Sequence, residues 1–269
     1  MSSTASVAGD AGTASASADT DAINKAIAAL LLARNTGQAI AAPALPDAEA
    51  AYAVQDGVAQ AYGWFAGTGP RHWKSGGASR SATLTHAALP PAGVWSSPAD
   101  ARHWPFHWRG IEAEIALRLA RDVDAALAAT LDLGAATALV DAMCVSIEIV
   151  DSRWTEARDA PSLPKLADLQ SHGALVLSNW MPFVPRDWAA QGCSLRIGAA
   201  APVHFQDTHS LGDPAFVLPA WLRHATRGGQ VVPAGSVVTT GTWCGMPLAA
   251  AGDLVEVEFE GIGRASVQL

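Results

Sequence analysis

The sequence predicts a mixed α+β fold in which flanking helices surround a rolled or sandwiched β-core. Helical periodicity occurs mainly in the N-terminal part of the chain, whereas short strands dominate beyond Pro185. One of these strands, from Leu254 to Phe259, alternates apolar residues with glutamates, which is typical of a strand that buries one face. Many short strands combined with a few helices indicate an α+β architecture, and the 269 residues suffice for a sizeable core.

The composition divides the chain into three parts. Residues 1–20 consist almost entirely of Ser, Ala, Thr, Gly and Asp, and such a segment buries too little apolar surface to offset its ordering entropy. We therefore predict a disordered tail over residues 1–20. Residues 21–80 form an N-terminal helical portion that leads into the core, and residues 81–269 form the β-rich core.

Four helices are predicted from periodicity and capping residues. The first has an apolar stripe between Asp21 and Arg34, and the second follows the capping residue Asp47 and ends before Gly63. Two further helices are predicted over residues 124–141 and over residues 214–226.

Two strands carry acidic residues among apolar ones. From Ile111 to Leu119 every second residue is apolar, which places Glu112 and Glu114 on the other face, roughly 7 Å apart. A second strand, residues 144–150, places Glu148 in a similar setting. Neighbouring carboxylates repel each other unless a cation or a proton lies between them. The pattern therefore fits a site for a hard divalent cation, and it equally fits an exposed sheet face.

Lys74 lies between an aromatic residue and a glycine-rich turn, in the segment His72–Ser79. Most lysines are surface residues, and this one fits that description. It could also project into a pocket, where burial would lower its pKa and neighbouring carboxylates would raise it. The residues alone leave both interpretations open.

Charge and cysteine content exclude several classes of protein. A net charge of −8 with few basic clusters argues against nucleic acids and against an anionic membrane surface as partners. We find no apolar run of membrane-spanning length and no signal peptide. The cysteines, Cys144, Cys193 and Cys244, are odd in number and far apart, which favours neither disulfides nor a zinc site. A cytoplasmic protein is expected.

An ordered set of short segments resembles the 2-keto-4-pentenoate hydratases and 4-oxalocrotonate decarboxylases of the fumarylacetoacetate hydrolase superfamily. The resemblance runs from about residue 22 to the C-terminus. The strand at Gly110–Leu117 is similar to the family's I/V-E-P-E-I-A-F, and Ile147–Arg153 is similar to its L-E-I/V-I/V-D-S-R. The remaining similar segments are Ala51–Gln55, Trp73–Ser79, Leu166–Ser171, Gly235–Gly241 and Phe259–Gly263.

This resemblance implies a fold like the fumarylacetoacetate hydrolase C-terminal domain and a metal-dependent lyase. Glu112, Glu114 and Glu148 match glutamates that hold Mg²⁺ or Mn²⁺ in the similar enzymes, and oxygen ligands suit such hard cations. Lys74 matches the family's active-site lysine, so Lys74 and Glu112 are the expected catalytic residues. Lys74, Ser79 and Ser171 are the expected substrate-binding residues. The expected partner is a small 2-keto acid, and we expect a homo-oligomer.

The sequence also departs from the family pattern. An acidic residue usually follows the lysine in a Y-G-x-L-x-x-D stretch, and residues 92–98 offer none. Leu169 replaces the Asn of V-A-D-N-A-S. His103, His107 or an ordered water would have to substitute for the missing acid, or the step would be slow. We further expect tryptophans to make the pocket more apolar and to favour a bulky substrate tail (Trp73, Trp95, Trp104 and Trp108).

Four functions are compatible with these features. The leading interpretation is hydration of a 2-hydroxy-dienoic or 2-keto-enoic acid. Decarboxylation of a vinylogous 2-keto acid uses the same metal, and C–C hydrolysis of the fumarylacetoacetate type would require a histidine–acid pair. A catalytically impaired partner subunit, which keeps the fold and the metal, is the alternative outside enzyme chemistry.

Overall fold

The computed structural model of the protein describes residues 11–269, with side chains described from residue 19 onward. Residues 1–10 of the predicted tail lie outside the described residues. The helices of the described part are α1 (Ala11–Thr36), α2 (Ala48–Tyr62), α3 (Ala125–Thr130), α4 (Leu133–Thr137), α5 (Ser162–Ala167) and α6 (Leu218–Ala225). None of these described helices is long and apolar enough to span a bilayer.

The strands of the described residues form two sheets. Their bounds are β1 (His72–Gly76), β2 (Thr85–Ala88), β3 (Val94–Ser96), β4 (Ala99–Asp100), β5 (Gly110–Leu119), β6 (Val140–Val150), β7 (His172–Leu177), β8 (Met181–Pro182), β9 (Gly192–Ile197), β10 (Val203–Gln206), β11 (Val237–Thr239), β12 (Leu254–Phe259) and β13 (Gly263–Gln268). The larger sheet has the order β2-β1-β11-β5-β6-β7-β3, with β8 paired to β6. The smaller sheet has the order β10-β9-β12-β13-β4.

The helices begin and end largely where local chemistry requires. The Asp47 carboxylate caps α2 by accepting a hydrogen bond of 2.8 Å from the amide of Ala50. The helix ends at Gly63, whose φ of 64° is left-handed and therefore favours glycine. The prediction for this helix is confirmed. Helix α1 starts at Ala11, ten residues before the predicted start at Asp21.

The prediction of one continuous helix over residues 124–141 is wrong. Residues 124–141 contain two short helices, α3 and α4, and the strand β6 already begins at Val140. The break occurs at Leu131, which is extended, and at Asp132, whose side chain accepts a hydrogen bond of 2.8 Å from Ala135 and caps α4. An Asp inside a helical pattern prefers the capping position, and this preference divides the helix.

The main hydrophobic core lies between the two sheets and under α3, α4 and α6. Residues of β5 and β6 such as Ile111, Ile115 and Ile147 are fully buried in it, together with Val257 of the smaller sheet. A separate apolar cluster joins α1, α2 and α5 around Trp154. The predicted mixed α+β fold is confirmed, and the two long central strands are packed into this core.

Candidate metal centre and active site

The pairing of β5 with β6 brings the three predicted glutamates together. These strands are antiparallel, and Glu112 lies directly opposite Glu148, while Glu114 lies opposite Ser146. Ligand oxygens of Glu112, Glu114 and Glu148 all lie within 4.8 Å of one another. Glu114 and Glu148 are buried, with exposures of 2% and 0%. The exposed-face interpretation of these acids is therefore wrong.

Lys74 reaches the same cluster from β1. This strand pairs in parallel with β11, and β11 pairs with β5, so Lys74 is two strands away from the glutamates of β5. The Lys74 ammonium donates a hydrogen bond of 2.6 Å to Glu148 Oε1 and one of 3.2 Å to the carbonyl of Gln170. The surface interpretation of Lys74 is also wrong, because its side chain is only 11% exposed.

One hydroxyl group of β11 holds Glu114, and a hydroxyl group of β6 contacts that hydroxyl in turn. Thr239 donates a hydrogen bond to Glu114 Oε2, and the Thr239 and Ser146 hydroxyl oxygens lie 2.8 Å apart. Both residues are buried. A carboxylate that is fixed in this way loses little further freedom when it binds a ligand.

The electrostatics of the cluster follow from its burial. Burial, with the negative charge of Glu148, raises the pKa of Glu112 to about 8 and that of Glu114 to about 7. Burial acts in the same direction on Glu148, but Lys74 and His172 more than offset it, so the pKa of Glu148 is lowered. Burial also disfavours the Lys74 ammonium, yet the glutamates, above all Glu148, raise its pKa. The cluster thus binds protons near neutral pH unless another cation replaces them.

A cavity of about 280 Å³ opens beside these groups. Besides Lys74, Glu112 and Glu114, its lining is polar or small: Ser75, Gly76, Gly77, Thr85, Gln170, Ser210, Thr239, Gly241 and Thr242. Hydroxyl and amide groups therefore surround the carboxylates. A small, oxygen-rich molecule fits this chemistry better than an aromatic one.

An unusual turn shapes one wall of the cavity. Leu169, Gln170 and Ser171 all have left-handed backbone conformations, with φ of 53°, 56° and 58°. Each such residue costs on the order of 1 kcal/mol relative to a relaxed backbone. The turn directs the carbonyl of Gln170 towards Lys74 and sets its side-chain amide against the hydroxyl of Thr85. The oxygen of the same side-chain amide, Gln170 Oε1, is buried and has no hydrogen-bond partner.

A buried ion-pair network holds this turn. Asp168, which is fully buried, accepts hydrogen bonds from the Arg153 Nε at 2.7 and 2.8 Å and from the Arg153 amide at 3.0 Å. Arg34 of α1 adds a contact of 3.1 Å to the same carboxylate. The N-terminal helix is thereby joined to the wall of the cavity.

The structure places other predicted residues away from the cavity. The Ser79 hydroxyl lies 3.0 Å from that of Ser81 and not in the lining, while Ser171 is buried and adjacent to the lining residue Gln170. Both substrate-binding roles stay predictions. His103 is exposed, and His107 lies against Asp151 and the carbonyl of Gly37, so neither histidine lines the cavity.

The tryptophans also lie elsewhere. Trp73, Trp95, Trp104 and Trp108 are all absent from the lining of this cavity. Trp73 neighbours Lys74 on β1, and successive residues of a strand point to opposite faces, so Trp73 packs into the core beside Trp221. The prediction that these tryptophans make the pocket apolar is therefore wrong.

Sequence reasoning missed three residues of the site: Thr239, Gln170 and His172. Thr239 faces Glu114 because of the strand register, which no local pattern reveals. Gln170 and His172 flank Ser171, but their positions depend on the left-handed turn. His172 Nδ1 lies 3.0 Å from Glu148 Oε1.

Together, the fold and the site define a protein with two packed sheets and a buried carboxylate–lysine centre on the larger sheet. The family model described as fumarylacetoacetate hydrolase C-terminal matches residues 85–269. The chain belongs to this family. Its residues Glu112, Glu114 and Glu148 all lie within the matched region.

Solved structures show the same fold at low sequence identity. The chain is similar to 4-oxalocrotonate decarboxylase from Pseudomonas putida G7 complexed with magnesium and adipate, with a TM-score of 0.75, 19% identity, and coverage of 91% of this chain and 97% of that one. The same enzyme complexed with calcium and acetate matches with a TM-score of 0.74 and 19% identity, and the match covers 93% of this chain and 97% of that one. A 2-hydroxyhepta-2,4-diene-1,7-dioate isomerase from Mycobacterium marinum matches with a TM-score of 0.55 and 15% identity, and the match covers 73% of each chain.

Proposed function

We propose that this protein is a metal-dependent lyase that acts on small 2-keto acids or their 2-hydroxy-dienoic forms. The observation that carries the proposal is the directly opposed pair Glu112 and Glu148, with buried Glu114 and Lys74 beside them; Glu148 is buried and Glu112 is half-buried. Like charges directly opposite each other destabilise a sheet, and burial increases the cost. Such an arrangement is favourable once a cation neutralises it.

The donor set fits a hard divalent cation. Glu112, Glu114 and Glu148 offer only carboxylate oxygens, and Glu148 Oε2 is buried with no hydrogen-bond partner. Oxygen-only sites suit Mg²⁺ and Mn²⁺, and we propose one of these two. When bound, the cation would supply Lewis-acid chemistry, polarising a 2-keto group and stabilising enolate charge.

Lys74 is the proposed substrate-binding and proton-transferring residue. Its raised pKa keeps it an ammonium at neutral pH, so it can donate to a substrate carboxylate or enolate oxygen. Its two present acceptors, Glu148 and the Gln170 carbonyl, orient the ammonium in the cavity. Glu112, with a pKa raised to about 8, is the other group that could exchange a proton there.

Hydration is the leading reaction. It requires a water molecule fixed next to a carbon–carbon double bond, and the cavity offers an unpartnered acceptor, Gln170 Oε1, together with the Ser210 and Thr242 hydroxyls. These groups could hold a water in place without ionising. They would take over the positioning task of the acid that is missing from residues 92–98.

Decarboxylation is the second candidate, and the lining itself favours it. Of the described residues that line the cavity, Lys74, Glu112 and Glu114 are the ionisable ones. No separate base for water activation therefore lines the described cavity. Loss of CO₂ needs an electron sink at the 2-keto group and a proton donor, and it needs no such base.

The other two interpretations receive less support. C–C hydrolysis would require a histidine–acid pair at the cavity, and the pair formed by His107 and Asp151 does not line it. An impaired partner subunit would bind the metal and show no turnover. The homo-oligomer and the cytoplasmic location stay predictions.

One experiment distinguishes these functions. The purified protein, with Mg²⁺ or Mn²⁺ added, is incubated with 2-hydroxypenta-2,4-dienoate and with a vinylogous 2-keto diacid, and both dienoate absorbance and CO₂ release are followed. Loss of absorbance without CO₂ supports hydration, and CO₂ release supports decarboxylation. The Glu148→Gln variant should lose the activity, whereas the Glu258→Gln variant should retain it, because Glu258 is a half-exposed strand residue of the smaller sheet. A protein that binds metal without turnover would support the partner-subunit alternative.

A further inference from the structure

His172 stands out as a buried titratable group beside the candidate metal centre. It is the first residue of β7 and is 3% exposed. Its Nδ1 lies 3.0 Å from Glu148 Oε1, and its Nε2 is buried without a partner. An ionised carboxylate can only accept hydrogen bonds, so the Nδ1 atom carries the hydrogen and donates it.

Two donors converge on one oxygen of Glu148. Lys74 Nζ at 2.6 Å and His172 Nδ1 at 3.0 Å both bond to Oε1, while Oε2 has no partner. Two donors that approach one oxygen from different strands fix the rotation of the carboxylate. The second oxygen then keeps its lone pairs for another ligand.

We propose that His172 is a positioning residue that fixes Glu148 so that Oε2 is presented to a divalent cation. This inference rests on the proposed metal centre and assigns His172 a part in it. His172 touches neither the cation nor the substrate and acts through the ligand Glu148.

The backbone explains why His172 suits this task better than Lys74. Its amide donates to the Leu169 carbonyl at 3.2 Å, directly after the left-handed turn, and its Cα pairs with Val150 in the β6–β7 register. The imidazole therefore has little freedom. Lys74 has a longer, flexible side chain, and a substrate would compete for its ammonium. His172 would hold Glu148 in place throughout that exchange.

The test compares variants that keep or remove the Nδ1-type donor. His172→Asn retains an N–H at a similar position, whereas His172→Leu fills similar volume without a donor. Loss of an outer partner of a metal ligand typically weakens metal affinity about 10- to 100-fold. We expect this loss for His172→Leu, and a change of less than about threefold for His172→Asn, in the Mn²⁺ dissociation constant measured by calorimetry.

A histidine outside the cavity serves as the matched control. His224 packs against the ring of Tyr52 at 4.4 Å, so His224→Leu should reduce stability without changing Mn²⁺ affinity. Only variants with cooperative thermal unfolding are compared, and His172→Ala replaces the leucine variant if that one does not fold. A purely structural role for His172 would shift the unfolding temperature and leave the dissociation constant unchanged.

The outcomes separate this inference from the proposed function. Wild-type affinity in His172→Leu, or equal losses in the leucine and asparagine variants, would overturn the positioning role while Glu148→Gln still abolishes binding. If the wild-type protein binds no Mn²⁺, or if Glu148→Gln binds it normally, the metal centre itself is refuted and the role of His172 with it.

Discussion

The affinity of this protein for a divalent cation should rise steeply between pH 6 and pH 8. The reason is that burial, with the charge of Glu148, raises the pKa of Glu112 from 4.5 to about 8 and that of Glu114 to about 7. At pH 6 both carboxyls hold protons in the metal-free protein. A cation must displace these protons before it can bind.

The magnitude follows from the two pKa values. Each group that must lose a proton weakens the apparent affinity about tenfold for every pH unit below its pKa. Treated as independent, Glu112 contributes roughly 50-fold and Glu114 roughly tenfold between pH 6 and pH 8. The combined change is on the order of 100- to 1,000-fold, and the affinity should level off above pH 8.

The raised pKa values of these two glutamates also determine how the stability of the metal-free protein changes with pH. Because the folded-state pKa values of Glu112 and Glu114 are raised, their contribution to stability is fully present below about pH 4.5, the unfolded value. It is lost as the pH rises through about 7 and then about 8. The metal-free protein should therefore unfold at a lower temperature at pH 8 than at pH 6, and added Mg²⁺ should raise that temperature more at pH 8.

Calorimetric Mn²⁺ titrations at pH 6, 7 and 8, in buffers of different ionisation enthalpy, measure both the affinity and the protons released. Glu258→Gln is the control, since this half-exposed residue pairs with Arg264 away from the cavity, and its affinity profile should match that of the wild type. An affinity that changes less than about threefold over this range, with no proton release, would refute the buried, proton-sharing cluster.

Three further predictions concern other parts of the site. Lys74→Met should lower kcat at least about 100-fold with little loss of fold, because it removes the proposed proton donor; an unchanged kcat contradicts that role. Asp168→Asn should reduce the free energy of unfolding by about 3–5 kcal/mol in urea titrations, because the buried Arg153 loses its nearest carboxylate and keeps only the longer contact of 3.7 Å to Asp151. Asp141→Asn is the control, because the half-exposed pair of Asp141 with Arg118 should contribute less than about 1 kcal/mol. An equally small loss of unfolding free energy in Asp168→Asn would argue against the network. Finally, kcat/KM should be higher for 2-hydroxypenta-2,4-dienoate than for aryl-substituted analogues, because the cavity is small and polar; preference for the aryl compounds would contradict this.

The sequence allowed the fold class and the acidic strands to be predicted, because both depend on local periodicity. The alternation around Glu112 and Glu114 specifies a strand and a face, and the structure confirms both. That Glu112 lies opposite Glu148 depends on the β5–β6 register, which arises from tertiary packing. Only the resemblance to the family predicted from the sequence that the three glutamates lie together.

The error about the tryptophans has a simple physical cause. Trp73 and Lys74 are consecutive residues of one strand, so their side chains lie on opposite faces of the sheet. Proximity to Lys74 in sequence therefore does not place Trp73 in the pocket. His172 illustrates the opposite difficulty, because nothing in its local pattern places it beside Glu148. Its position results from three consecutive left-handed residues, which no local pattern predicts.

Two locally unfavourable features meet at this cavity, and their coincidence favours a functional site over an accident of folding. Without a metal ion, Glu112 and Glu148 cannot both be ionised near neutral pH except at a cost in stability, and the turn from Leu169 to Ser171 costs backbone energy at each residue. The buried ion pairs of Asp168 stabilise the turn. The glutamate pair has less support, because within the described residues only the side chains of Lys74 and His172 donate hydrogen bonds to Glu148. Both of these donors bond to the same oxygen and leave the other free. A fold that needed only stability would gain by replacing Glu112 with an apolar residue, so the retained charge repulsion is best explained by a cation that completes the site.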